Sequence, residues 1–176
     1  MQHLACLKGM PSLVKKLLDK KAKFNTPNAS SLFPLHLAAS GEVHEVSADE
    51  EDERRLLCVK YLLEAGSPLS MRDGNKQTIL HAAARAGHIK VLRFALDQWI
   101  GNRSAPPGKE PSLDWRDNWC RTPVHWAVLN GKVDALKILI EKVSRGRHNN
   151  SCKHYFSYTN AILSLETTLP ILSLDI

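Results

Sequence analysis

The 176-residue chain is short of most features that point to catalysis, metal chemistry or a membrane. No apolar run approaches the ~20 residues needed to span a bilayer. The opening Met1-Gln2-His3-Leu4-Ala5 has no basic segment leading into a long apolar core, which speaks against a secretory signal. The four cysteines are scattered. Cys6 and Cys58 fall in helical patterns, Cys120 in a turn and Cys152 near the end, and none form a C-x-x-C pair. A reduced intracellular setting, cytoplasmic or nuclear, is therefore expected. The sequons Asn28-Ala29-Ser30, Asn102-Arg103-Ser104 and Asn149-Asn150-Ser151 are then coincidental. There is no G-x-x-x-x-G-K-[ST] phosphate loop, no H-E-x-x-H and no G-x-S-x-G. Cys120 and His125 form an isolated pair with no third group to orient the histidine. The acidic residues lack the alternating ligands and glycine turn of a calcium loop. No catalytic residue, cofactor site or metal site is expected.

What remains has the composition of a globular chain, with 43% apolar and 24% charged residues, and its length suits one domain. The net charge of +6 is unevenly spread. Glu42 to Arg55 holds seven acids and two arginines, a local balance of −5, leaving +11 elsewhere. A basic body attracts acidic partners or nucleic acid. The plainer reading, a solvated lysine-rich helical surface, is preferred.

One pattern recurs: Phe33-Pro34-Leu35-His36, Thr78-Ile79-Leu80-His81 and Thr122-Pro123-Val124-His125, each followed by small residues. Successive histidines from His3 are 33, 45 and 44 residues apart, which fits a 33-residue unit carrying insertions of 12 and 11 residues. Repetition at this period is the mark of a solenoid. The chain resembles the ankyrin-repeat family, whose unit has this length and a T-P-L-H-x-A core. The resemblance implies an all-α solenoid of helix-turn-helix units joined by β-hairpin-like loops. The array is expected over 1–143, with repeats at about 1–25, 31–70, 76–114 and 120–143. Residues 144–176 have no repeat register and are expected to be irregular or disordered. Met1 falls inside the family's turn motif, so the chain is expected to begin within a repeat.

The apolar stripe Leu13, Val14, Leu17 and Leu18 predicts an outer helix with its lysines in water. The acidic insertion is expected either to extend the next outer helix at its N-terminus or to form a loop. Acids there suit the helix dipole by roughly 0.3–1 kcal/mol each. The breaker-rich stretch from Trp99 to Lys109 predicts an inserted loop. Cys120 stands where the family has glycine, which predicts a strained turn.

The repeated histidines are structural in this reading. A metal needs ligands converging within ~2.0–2.3 Å, whereas equivalent positions lie about one repeat apart. The resemblance implies that each imidazole bridges backbone groups of neighbouring turns, that Thr78 and Thr122 cap helices, and that alanines bring helices close. It also implies where a partner sits, at hairpin tips and inner helices: Leu32 and Ser40; Asn75, Gln77 and Arg85; Asn118, Trp119, Arg121, Leu129 and Asn130. Trp119 is expected to touch the partner and Trp126 to pack between repeats. Trp115, Arg116, Trp119 and Arg121 suit an acidic peptide or a stacked base. The function expected is a non-enzymatic scaffold that binds a protein or peptide, of acidic character on this chemistry. The alternative is the targeting segment of a larger enzyme, a ligase or kinase. Nucleic acid is the less favoured partner, because no nucleic-acid fold is recognised.

Overall fold

The computed structural model describes residues 1–41, 47–101 and 115–145. The chain divides into two compact units, Met1–Lys142 and Val143–Ile176. The first unit is built from helix pairs: α1 (Gln2–Leu7) with α2 (Pro11–Asp19), α3 (Pro34–Ser40) with α4 (Ala48–Glu64), α5 (Ile79–Ala86) with α6 (Ile89–Gly101), and α7 (Pro123–Leu129) with α8 (Val133–Arg145). No strand occurs among the described residues. Inner helices α1, α3, α5 and α7 stack in sequence, and outer helices α2, α4 and α6 stack behind them.

The repeated small residues explain the close inner stack. Ala5, Ala38, Ala83 and Ala127 are all buried, as are Leu35, Leu80 and Val124 of the recurring motif. The predicted stripe of α2 is oriented as expected, with Val14 fully buried, Leu13, Leu17 and Leu18 half-buried, and Lys15 and Lys16 exposed.

Three hairpin turns are superimposable in their bonding. Oδ1 of Asn28 accepts from the N–H groups of Ser30 and Leu32, at 3.0 and 2.9 Å. Oδ1 of Asp73 accepts from Asn75 and Gln77, at 2.9 and 2.7 Å, and Oδ1 of Asp117 from Trp119 and Arg121, both at 2.9 Å. One short oxygen at a fixed offset thus shapes each turn. Adjacent turns are joined by Gly74 N–H donating to Ser31 O at 3.1 Å and Asn118 N–H donating to Asn75 O at 3.0 Å. Cys120 is left-handed at φ 59°, and the equivalent Ser31 and Lys76 share that conformation at φ 57° and 59°. The departure expected at Cys120 alone is therefore a property of all three turns.

Two of the motif histidines, His36 and His81, bridge to the next repeat. His81 Nδ1 accepts from the Thr78 N–H at 3.1 Å, and Nε2 lies 3.2 Å from Arg121 O. An Nδ1 that accepts requires Nε2 to carry the proton and donate. His36 Nε2 lies 3.0 Å from Gln77 O in the same way, but its Nδ1 has no hydrogen-bond partner, because Phe33 stands where the later repeats have threonine. His125 Nδ1 accepts from the Thr122 N–H at 3.2 Å. Burial, only partly opposed by the Arg121 carbonyl and Asp117, lowers the His81 pKa to about 4, and burial lowers those of His36 and His88 as well. His36 and His81 are neutral bridges between repeats, and His88 Nε2 reaches Gly41 O at 2.8 Å.

The acidic insertion is helical from Ala48 onward. Ser47 caps α4 by accepting from Glu50 N–H at 3.3 Å, with Asp49, Glu50 and Glu51 in the first turn. Buried Asp52 accepts from the Lys90 and Val91 N–H groups at 2.7 and 3.4 Å, capping the next outer helix. Arg55 has left the surface altogether, at 0% exposure. Its Nε donates to Glu51 at 3.0 Å, Nη1 to Cys6 O and Ala38 O at 3.3 Å each, and Nη2 to Leu7 O at 2.9 Å. Those carbonyls end α1 and α3, where helices present unsatisfied acceptors and negative dipole ends. Gly41 makes the close approach possible, since a Cβ there would lie 2.3 Å from Leu7 O and 2.4 Å from Arg55 Nη1. Along the sequence Arg55 enters only as one of the two arginines in the charge balance of residues 42–55. The loop expected from Trp99 begins later, because α6 continues to Gly101. Its remainder and the expected tail after residue 145 lie outside the described residues.

Candidate protein-interaction surface

The fourth hairpin and the inner helices beside it carry the densest chemistry. Asp117 is buried, and beyond shaping the turn its Oδ2 accepts from the Trp126 indole Nε1 at 2.9 Å. Burial would raise its pKa, but the N–H donors of Arg121 and Trp119, the Trp126 indole and the Arg121 charge hold it below the usual carboxylate value. This fixed carboxylate orients Trp126. Around it the Arg85 Cζ lies 5.4 Å from the Trp126 ring, and the Arg121 Cζ lies 4.4 Å from Trp126 and 4.7 Å from Trp119. The result is a ladder, Arg85–Trp126–Arg121–Trp119, in which each guanidinium lies over an indole. Behind it, Trp115 packs edge-on against Trp99 at 5.6 Å with the Arg72 guanidinium 5.5 Å from its ring. Arg72 also donates to the Lys76 and Arg116 carbonyl oxygens, tying successive tips together.

Cations on both sides are partly paired: on the outer helices Lys15 and Lys60 lie over the Tyr61 and Phe94 rings, at 5.5 Å each, and have no ion pair among the described residues. On the outer helices Arg54 pairs with Glu50 at 2.6 Å, Lys90 with Asp49 and Glu53 at 2.9 and 3.1 Å, and Lys142 with Asp97 at 2.7 Å. At the tips and inner helices Arg72, Lys76, Arg85 and Arg116 have no ion-pair partner among the described residues. The two carboxylates there, Asp73 and Asp117, are buried and already accept from turn N–H groups. Arg121 has one acid, Asp117, at 3.7 Å from Nε, too long for a hydrogen bond, and Nε is buried with no other partner.

Of the residues expected to meet a partner, Trp119 and Leu129 are exposed at 53% and 61%. Asn75, Asn118 and Asn130 are also exposed, while Leu32, Ser40, Arg85 and Arg121 are half-buried. Gln77 corrects the expectation. It is buried at 4%, its N–H held by Asp73 and its side-chain amide 3.5 Å from Asp117 Oδ2, so it supports the turn instead of facing outward. The ladder joins Arg85, Arg121 and Trp119 through Trp126, and Asn130 donates to Trp126 O at 2.9 Å. Leu32 lies two hairpins away and belongs to no such cluster. Trp126 is half-buried and packs against the preceding repeat through Arg85, as expected, while also lying within the ladder. Asp117 was missed as a site residue, although its equivalence to Asp73 and Asn28 was available in the aligned units.

Among the described residues, no group of three or more His, Cys, Asp or Glu is gathered to hold a metal ion, and no helix is long and apolar enough to cross a membrane.

A family profile described as ankyrin repeats (3 copies) matches residues 51–153. The chain belongs to the ankyrin-repeat family. Such repeats are protein-interaction modules and are typically non-catalytic. Among curated proteins, the chain is 29% identical over 142 residues to "Probable 26S proteasome regulatory subunit p28" of Saccharomyces cerevisiae, covering 80% of this chain and 53% of that protein. It is 27% identical over 168 residues to human inversin, covering 78% of this chain and 15% of inversin. It is 25% identical over 141 residues to the tyrosine-protein kinase HTK16 of Hydra vulgaris, covering 78% of this chain and 16% of the kinase. The chain thus spans about half of the yeast protein and a small part of the other two.

Proposed function

We propose that this ankyrin array is a non-enzymatic binding module that holds a protein or peptide segment, acidic in character, along its hairpin tips and inner helices. The observation that carries this reading is the exposed Trp119 at 53%, set against Arg121, whose acid Asp117 stands 3.7 Å away, on a side where Arg72, Lys76, Arg85 and Arg116 have no ion pair among the described residues. Interfaces concentrate their energy in Trp, Tyr and Arg anchors. A rigid stack presents such anchors without an ordering cost on binding. Asn75, Asn118, Leu129 and Asn130 form the surrounding contact surface, with Leu32 and Ser40 extending it to the second hairpin. Gln77 acts from beneath. The buried thiols of Cys6 and Cys58, pushed up to about 12 and 11 by burial, suit a reduced intracellular setting.

The test is affinity capture with wild type and a Trp119→Ala/Arg121→Glu variant whose melting curve matches wild type. Selective loss of a protein supports the reading. Identical retained proteins on both baits would move the contact to the outer helices. A second reading, that the chain targets a larger enzyme, is favoured by its 16% share of a tyrosine kinase. It predicts that captured proteins become substrates of an enzyme carrying this array.

A further inference from the structure

We infer that Arg121, flanked by Trp119 and Trp126, is a preorganised receptor for a side-chain carboxylate of an extended partner segment, with an apolar residue of that segment lying on Trp119. The inference rests on the binding surface proposed above and adds the chemistry that selects the partner.

A guanidinium lying over an aromatic ring keeps its in-plane N–H edge for acceptors, and carboxylates match that edge bidentately. The Arg121 Cζ is 4.4 Å from one indole centroid and 4.7 Å from another, so its position is fixed before any partner arrives. Its one acid among the described residues, Asp117, is 3.7 Å away and already accepts from the Trp126 indole and two turn N–H groups. The site therefore carries a held cation whose charge is under-compensated by the protein itself. Arg85 repeats the arrangement on the far side of Trp126, at 5.4 Å, with no acid paired to it among the described residues. Two such cations one repeat apart favour more than one carboxylate along the bound chain. Trp119, 53% exposed, supplies the apolar neighbour. On the outer helices Arg54, Lys90 and Lys142 are paired to Glu50, to Asp49 and Glu53, and to Asp97, while Lys15 and Lys60 lie over single rings, Tyr61 and Phe94, so the guanidinium held between two indoles is particular to Arg121 among the described residues.

The experiment is selection from a displayed library of random dodecapeptides on the whole protein, followed by titration of the selected peptides against wild type, Arg121→Lys, Arg85→Gln and Trp119→Ala. Selected sequences should be net acidic, with Asp or Glu beside Leu, Ile, Phe or Trp. Arg121→Lys keeps the charge but loses the fork, and should weaken a selected peptide about tenfold while leaving the melting curve unchanged. Arg85→Gln gives a second reading at the other end of the ladder. Neutral or basic peptides that still depend on Trp119 would overturn the carboxylate receptor and leave the binding surface standing. Peptides indifferent to Trp119→Ala and to both arginine variants would overturn both. A single-stranded 20-nucleotide DNA that displaces the acidic peptide at lower concentration, or equal binding to Arg121→Lys, also overturns the inference.

Discussion

The second and fourth repeats each depend on one arginine, used in opposite ways. Arg55 is wholly buried and donates to Glu51 and to carbonyls ending two inner helices, so its charge is spent on joining the first repeat to the second. Arg121 stays at the surface with 29% of its side chain exposed and one half-engaged acid. Their turns have the same backbone bonding, set by Asn28 in one and Asp117 in the other. The contrast shows how a repeat fold separates stability from recognition. The backbone is fixed by a few short-range oxygens, and side chains not needed for that task are free to meet a partner.

Breaking the buried member of the pair should have the largest effect. Arg55→Ala removes the donor to the Cys6, Leu7 and Ala38 carbonyls and one ion pair to Glu51, and should cost ~3–5 kcal/mol in chemical denaturation. Arg121→Ala, measured the same way, should stay within about 1 kcal/mol. Equal losses would erase the distinction. Leu80→Ala probes the shared core at a residue 1% exposed, and should cost ~2–5 kcal/mol by the same method.

Acid should weaken the histidine bridges. His81 has a folded pKa of about 4 against 6.5 when unfolded, so the unfolded chain binds the proton more readily. Its contribution is complete above pH 6.5 and is lost as pH falls toward 4, by roughly 3 kcal/mol at most. His36 and His88, lowered in the same direction, add to the slope. A melting temperature independent of pH over that window would contradict neutral bridging. The smallest effect sharpens the comparison of hairpins. Phe33→Thr supplies the hydroxyl missing beside the orphaned His36 Nδ1, and the hydrogen bond should return about 0.5–1.5 kcal/mol, reduced by lost ring packing. Thr78→Val should move the third repeat in the opposite direction.

The fold was legible because its signal is local and repeated. Leu35, Leu80 and Val124, the alanines after them and the histidine spacing each recur in register, so every unit corroborates the others. The candidate surface was legible only where a residue type carries its role with it, as Trp119 and Arg121 do. Gln77 was misplaced because the same turn position faces outward or inward according to what the next hairpin puts beside it, and here Asp117 accepts its amide. Arg55 was missed for a related reason. Its partners are carbonyls of Cys6, Leu7 and Ala38, backbone groups that no side-chain pattern reveals.

The most direct test of the account is hydrogen exchange on the protein alone and saturated with a peptide or protein it retains. Binding should slow exchange in the hairpins around Asn75 and Trp119 and at the ends of α5 and α7, leaving the outer helices α4, α6 and α8 unchanged. Slowed exchange confined to those outer helices would contradict it.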